Sequence, residues 1–260
     1  MTDALKLDIR DHVAWLTIDR PAAFNAVNGA LHTALSRVFI DLAERRDLKA
    51  IVLTGAGKAF CAGGDIDWMR EAIRDPEQFE VVTWEAKRIV YSMLDCETPI
   101  IGRINGDAVG LGATLALLCD ITVMDERARI GDPHVKVGLN AADGGGFLWP
   151  QMIGYGRARE LLLTGDLLGA SEAVALGAIG HAVPAEQLDQ KVEAIVAKLR
   201  HGATKAIRWT KAGYTIPLRQ LAHSHMDAGI AYECLANLTA DHAEAVEAFA
   251  GKRKPVFTGR

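Results

Sequence analysis

Two glycine-rich segments carry the chemistry this chain offers most directly: AFCAGGD from Ala59 to Asp65, and NGDAVGLGATLALLCD from Asn105 to Asp120. Each places small residues where a strand turns into a helix, so that backbone N–H groups lie bare beside a ligand. Two such turns can aim two N–H groups at one oxygen and so form an oxyanion hole. In the first turn, Ala62, Gly63 and Gly64 let the backbone approach closely, and Asp65 is placed to cap the helix that follows. In the second, Gly110, Leu111 and Gly112 open a helix whose apolar face runs through Leu115, Leu117 and Leu118. The dipole and free first-turn N–H groups of that helix favour an anion at its start. Either segment alone also reads as a tight turn or as small-residue packing. Together they suit a thioester, whose enolates and tetrahedral adducts both place negative charge on the carbonyl oxygen.

Acid/base groups are sought on the stretch RIGDPHVKVGLNAADGGGFLWP, from Arg129 to Pro150. His134 titrates near neutrality and can exchange a proton at physiological pH. Asp143 follows nine residues later in a glycine-rich bend, where its carboxylate can face the same pocket. Read singly, the His is a structural residue and the Asp a turn or helix cap; read together on one loop, they are a candidate catalytic pair. Thr114 lies one helical turn beyond Leu111 and faces the same cavity, but its hydroxyl has no usable pKa and can only position a partner by hydrogen bonding. Trp68 and Met69, on the helix after the first turn, are candidates to line the channel, while Trp149 and Pro150 read equally as pocket wall or core. No metal is expected. Cys61, Cys96, Cys119 and Cys234 are far apart and form no ligand cluster, and His223 and His225 cannot share a helix face.

A scaffold able to hold such groups is legible in the hydrophobic pattern. Half of the 260 residues are hydrophobic and 24% are charged, as in an ordinary globular protein with a sizeable core. A net charge of −4 gives no reason to expect nucleic acid or an anionic membrane as partner. With no apolar run suited to a signal peptide or a membrane span, a cytoplasmic location and reduced, mostly buried thiols are expected. Short β-type runs start at His12 (HVAWLTI), Ala50 (AIVLTG), Pro99 (PIIGRI) and Ile121 (ITVM). Between them Leu31, Leu35, Val38, Phe39 and Leu42 form one face of an amphipathic helix. Strands alternating with helices imply an α/β core with helices covering a sheet. After Pro184 the pattern is almost wholly helical, with Asp241 and Glu244 spaced as a helix N-cap and its capping partner.

On these motifs, and on IDRPAAFNAVN from Ile18 to Asn28, LLTGDLLGASEAVALGAI from Leu162 to Ile179 and FAGKRKPVF from Phe249 to Phe257, the chain resembles the crotonase (enoyl-CoA hydratase/isomerase) superfamily nearly end to end. The resemblance implies a crotonase-like spiral of ββα turns over residues 1–184, then a carboxy-terminal helical trimerisation region over 185–260, with trimers that pair into hexamers. It also implies a coenzyme A thioester as substrate and no permanently bound cofactor. The oxyanion donors map to Gly64 N–H and Leu111 N–H. Backbone around Ala62, Asp65 and Ile66 maps to the adenine end of coenzyme A, with Ala26 and Thr114 as further substrate-binding positions. Phe249 and Lys252 map to an aromatic and a lysine that reach the cofactor of a neighbouring subunit.

The departures are as informative. Where hydratases of this family carry two catalytic glutamates, this chain has Thr114 and His134. The PH pair, the Asp nine residues on and the WP that follows are similar to the 6-oxocamphor hydrolase type of crotonase-fold enzyme, which cleaves a carbon–carbon bond in cyclic β-diketones. That likeness maps His134 and Asp143 onto catalytic positions. Three functions follow as expectations: hydration or isomerisation of an enoyl-CoA, hydrolytic cleavage of a β-diketone-type substrate, or binding of acyl-CoA or of a partner protein without catalysis.

Overall fold

The computed structural model describes residues 2–260. Its frame is a six-stranded sheet in the order β1-β2-β3-β4-β6-β9, made of Leu5–Arg10, Val13–Ile18, Ala50–Gly55, Ile100–Ile104, Ile121–Asp125 and His181–Val183. Only β1 and β2 pair antiparallel; every later pairing is parallel. Parallel strands need covered crossovers, and all six residues of β3 are buried. Side-chain alternation explains how. Ile51 and Leu53 enter the main core beside Leu31, Leu35 and Phe39 of α1 (Gly29–Glu44) and Ile89 and Met93 of α3 (Pro76–Asp95). Ala50 and Val52 point to the other face, where Leu188, Val192 and Val196 of α7 (Ala185–His201) close a second core.

A small sheet, β5-β7-β8, stands beside the first and is made of Ala108–Val109, Arg129–Gly131 and Leu167–Gly169. The remaining helices are α2 (Ile66–Arg74), α4 (Leu111–Leu117), α5 (Gly145–Thr164), α6 (Ala170–Ala175), α8 (Thr204–Tyr214), α9 (Ile216–Asn237) and α10 (Ala240–Ala250). Helix α5 kinks at Gly154, where φ is 76° and ψ is 154°. The α/β core and the helical carboxy-terminal region match the sequence expectation. Among the described residues no helix is long and apolar enough to cross a membrane.

One sequence expectation about a detail is corrected. Helix α10 is capped by Thr239, whose hydroxyl accepts from His242 N, rather than by Asp241. Asp241 is free of that duty because its carboxylate accepts from Thr258 N and Gly259 N, while Glu244 pairs with Arg253 and accepts from Val256 N. Both acids pin the carboxy-terminal tail. Trp149 is a core side chain, 1% exposed, in line with the core alternative of its two sequence readings.

The loop that leads from β3 to the first glycine turn is held by two amides, the buried Asn25 and the half-buried Asn105. Asn25 sits in the left-handed region at φ 60°, which Asn tolerates better than most residues. Its Nδ2 donates to the carbonyls of Ala56 (2.9 Å) and Ala59 (2.7 Å), and its Oδ1 accepts from Arg20 N at 2.9 Å. Asn105 approaches from the end of β4, accepting from Gly55 N and donating to Gly57 and Ala59 carbonyls. Asn25→Ala strands those buried groups, and each unsatisfied partner costs about 1–3 kcal/mol. A loss of about 2–4 kcal/mol is expected, seen in thermal unfolding as a fall in Tm of roughly 5–15 °C.

Candidate active site

The two glycine turns meet through backbone pairing. Phe60 N and Cys61 N both donate to Asp107 O, Val109 N donates to Cys61 O, and Gly110 N donates to Gly131 O. From the other side, Val27 N donates to Gly63 O and Asp65 N to Val27 O. This fixes Gly63 against the second turn: a Cβ there would lie 3.0 Å from Val109 O and 3.9 Å from Gly110 Cα. Gly63 (φ 88°) and Gly110 (φ 56°) both occupy backbone regions that side chains disfavour. The next residues, Gly64 and Leu111, line one shared chamber. Neither of their N–H groups donates to a protein acceptor among the described residues. Leu111 is 7% exposed, so its side chain narrows the chamber while its N–H stays available.

His134 and Asp143 line the same chamber. The His134 ring is nearly enclosed and lies between two carboxylates. Asp132 bonds Nδ1, and the Asp143 Oδ2 atom stands 3.7 Å from Nε2. Thr114, fully buried, donates its hydroxyl to Asp143 Oδ1 at 3.2 Å. The threonine therefore stands behind Asp143 as a hydrogen-bond support and off the chamber surface. Asp143 Oδ2, like Asp132 Oδ2, has no hydrogen-bond partner among the described residues, and of these two carboxylates only Asp143 lines the chamber. The three groups Asp132, His134 and Asp143 are close enough to share a cation. Yet each carboxylate faces its own ring nitrogen, an arrangement that moves a proton along the line better than it aims three lone pairs at one ion.

Charge in this enclosure is strongly perturbed. Burial alone would lower the His134 pKa, but the carboxylates of Asp132 and Asp143 override it and hold it well above the ordinary value. Burial pushes Asp143 upward, offset in part by His134. A further carboxyl group, Glu233 of α9, lines the chamber and is pushed up to about 8 by burial, against the attraction of His134. Clustered perturbed groups in a cavity mark a functional site.

An outer groove joins the chamber at Gly64, Met69 and His134. Ala26, Ala62, Asp65, Ile66 and Phe249 all line it. Asp65 caps α2 by accepting from Asp67 N and pairs with Arg20 at 2.9 Å, so a ligand meets its backbone and not its carboxylate. Phe249 borders the groove of its own chain, where the family resemblance placed it against a neighbour. Lys252 does not line the groove, and its neighbour Arg253 is committed to Glu244. Trp68 and Met69 line the chamber as expected.

Comparison with known proteins places this geometry in context. A family model described as enoyl-CoA hydratase/isomerase matches residues 8–260. A probable enoyl-CoA hydratase of Rhodobacter capsulatus is 33% identical over 262 residues, covering 98% of each chain. The chain belongs to the enoyl-CoA hydratase/isomerase family. A crystal structure of an enoyl-CoA hydratase/isomerase from Mycobacterium paratuberculosis superposes with a TM-score of 0.92 at 33% identity, covering 95% of this chain and 98% of that one. A crotonyl-CoA hydratase of Syntrophomonas wolfei is 29% identical, covering 98% and 97% of the two chains.

Within this enoyl-CoA hydratase/isomerase family enzyme, sequence reasoning missed Asp132 and Glu233. Asp132 had a local signal, a carboxylate two residues before the histidine. Glu233 had none, because it is one of many polar residues on a long helix and reaches the chamber only through tertiary packing. Its effect on stability is testable. Unfolded, Glu233 releases its proton near its ordinary value; folded, it keeps the proton up to about 8, so stability falls as pH rises between those values. Glu233→Gln removes that penalty. It is expected to gain several kcal/mol, on the order of 10 °C in Tm, at pH 9 relative to wild type and nothing at pH 4, as measured by thermal unfolding across pH.

Proposed function

We propose that this enzyme transfers protons at the α and β carbons of an acyl-CoA whose thioester carbonyl is held by Gly64 N–H and Leu111 N–H, with Asp143 and His134 as base and acid. The observation that carries this reading is the Asp143 carboxylate. One oxygen is anchored by Thr114 and the other is uncommitted beside His134 Nε2, inside the chamber that the two free N–H groups also line. Asp143 supplies a carboxylate in the cavity where the family's first glutamate is replaced by Thr114.

In hydration, Asp143 takes a proton from water as the water oxygen bonds to Cβ. The electron pair of the double bond passes to the thioester oxygen, where each well-aimed N–H contributes about 3 kcal/mol to the transition state. The Nε2–H of the His134 imidazolium protonates Cα, and Asp143 returns its proton to the ring across the 3.7 Å gap. Asp132 keeps Nδ1 engaged, so Nε2 is the nitrogen that exchanges protons. The outer groove suits coenzyme A, since Ala26, Ala62, Asp65, Ile66 and Phe249, which the family resemblance assigns to substrate binding, line it, while Lys252 does not. A homotrimer or hexamer completes the proposal, supported by exposed apolar side chains such as Trp209, Tyr232, Leu235 and Leu238 on α8, α9 and the turn that follows.

The carboxylate–histidine–carboxylate line also favours a second reading, hydrolysis of a β-keto acyl group. Asp143 would take the proton of water attacking the keto carbon, the Cα–Cβ bond would break into the thioester enolate, and His134 would protonate Cα. Product analysis separates the two: hydration gives a hydroxyacyl thioester of unchanged length, hydrolysis a shortened one and a free acid.

Asp143→Asn keeps size while removing the base. Turnover is expected to fall about 10²- to 10⁴-fold with ligand affinity nearly unchanged. His134→Gln should also cut turnover and remove the alkaline limb of the pH–rate profile, which in wild type reports loss of the imidazolium proton. The double variant should lose far less than the product of the single effects, because the two act as one unit. Independent effects with a lowered melting temperature and unchanged turnover per folded molecule would return both residues to loop architecture.

A further inference from the structure

Three glycines follow Asp143, and each admits a different neighbour. A Cβ on Gly144 would lie 2.8 Å from Thr114 Cγ2, and one on Gly146 would lie 2.6 Å from His225 Nε2. At Gly145, the first residue of α5, the neighbour is the Asp132 carboxylate. Its Oδ2 lies far inside van der Waals contact of the place a Cβ would take, with Asp132 Cγ at 3.0 Å and Ala141 Cβ at 3.3 Å. The backbone itself does not require glycine here, because φ of Gly145 lies outside the left-handed region. Packing alone excludes a side chain.

Asp132 is 2% exposed and divides its two oxygens between two neighbours. Oδ1 bonds His134 Nδ1, while Oδ2 has no hydrogen-bond partner among the described residues and rests where a side chain of Gly145 would be. A carboxylate is a rigid plane, so pushing Oδ2 off Gly145 also turns Oδ1 away from the ring nitrogen. The N–H of the same glycine favours the ionised form of Asp143. One residue therefore abuts both carboxylates that flank His134.

We propose that Gly145 is a positioning residue of the proton line: its bare Cα is the berth of the Asp132 carboxylate, which fixes the His134 ring and leaves Nε2 as the nitrogen that faces Asp143. The inference rests on the reading of His134 as the group that exchanges protons, and adds a residue that has no functional group of its own. Its influence passes through Asp132.

The test compares Gly145→Ala, Asp132→Ala and the double variant by proton and nitrogen-15 spectra of the histidines and by turnover of a short-chain enoyl-CoA. In wild type the His134 Nδ1–H proton, bonded to a carboxylate, is expected far downfield, and Asp132→Ala identifies it by removing it. Gly145→Ala should remove it or move it upfield as well. The charged groups acting on His134 are Asp132, Asp143 and Glu233. With Asp132 displaced, the alkaline limb of the pH–rate profile should fall by about 1 pH unit or more, since a close charge that favours the imidazolium is withdrawn. Turnover should drop about 10²-fold through misplacement of the ring, with KM little changed. In the double variant the added methyl enters the space that the deleted carboxylate vacates, so it should be no slower and melt no lower than Asp132→Ala alone. A Gly145→Ala protein that keeps the downfield resonance and the alkaline limb, or a double variant that loses the product of the single effects, would overturn the inference. Should Gly145→Ala not fold, the double variant decides: recovered folding supports the berth, and continued failure overturns it. If wild type turns over no acyl-CoA yet the resonance vanishes as expected, the acyl-CoA reading falls while the positioning of His134 stands.

Discussion

The short backbone ladder between Cys61 and Asp107–Val109 is the constraint on which the site depends. Those hydrogen bonds join a loop after β3 to a loop after β4, two segments far apart in sequence, and they set the glycine turns side by side. Without them there would be two separate helix starts and no common place for an oxygen. The ladder in turn requires the loop before it to be rigid, which Asn25 and Asn105 achieve by satisfying its carbonyls from both sides. Sheet, amide clamp and glycine turns thus form one chain of dependence, in which the donors are the last and most exposed link.

Electrostatics in the chamber follow from how little water reaches it. Three carboxyl groups and an imidazole share a small, mostly enclosed volume, and burial is the largest influence on the imidazole and on two of the carboxyls. The flanking carboxylates favour the protonated imidazole, while burial pushes Asp143 and Glu233 toward neutrality. One mobile proton can then be shared between His134 and Asp143. Thr114 makes this arrangement possible by engaging only one Asp143 oxygen and leaving the other free.

The strands, the amphipathic face of α1, the cap at Asp65 and both glycine turns were legible because each is a local pattern of spacing. His134 and Asp143 were legible as a pair because they share one loop. Thr114 was read onto the cavity surface from its position one turn past Leu111, and the structure sets it behind Asp143 instead. Helical phase gives a direction but not a depth, and here Asp143 fills the space in front of it. Glu233, His32 and His242 lie on three different helices, and only packing brings them to one chamber. Asp241 shows the opposite error: a good local capping pattern was overridden because the carboxy-terminal tail used the same carboxylate.

The donors at Gly64 and Leu111 belong to the backbone, and a backbone N–H survives almost any substitution at its own position. Asp143, His134 and Glu233 are side chains carried by separate segments, each replaceable without disturbing the ladder between the turns. Inheritance therefore treats the two halves of the site unequally: the part that steadies a negative oxygen is nearly immune to mutation, while the part that chooses where protons go is open to it. A lineage built on such a scaffold can drift from one reaction to another while never losing the intermediate they have in common.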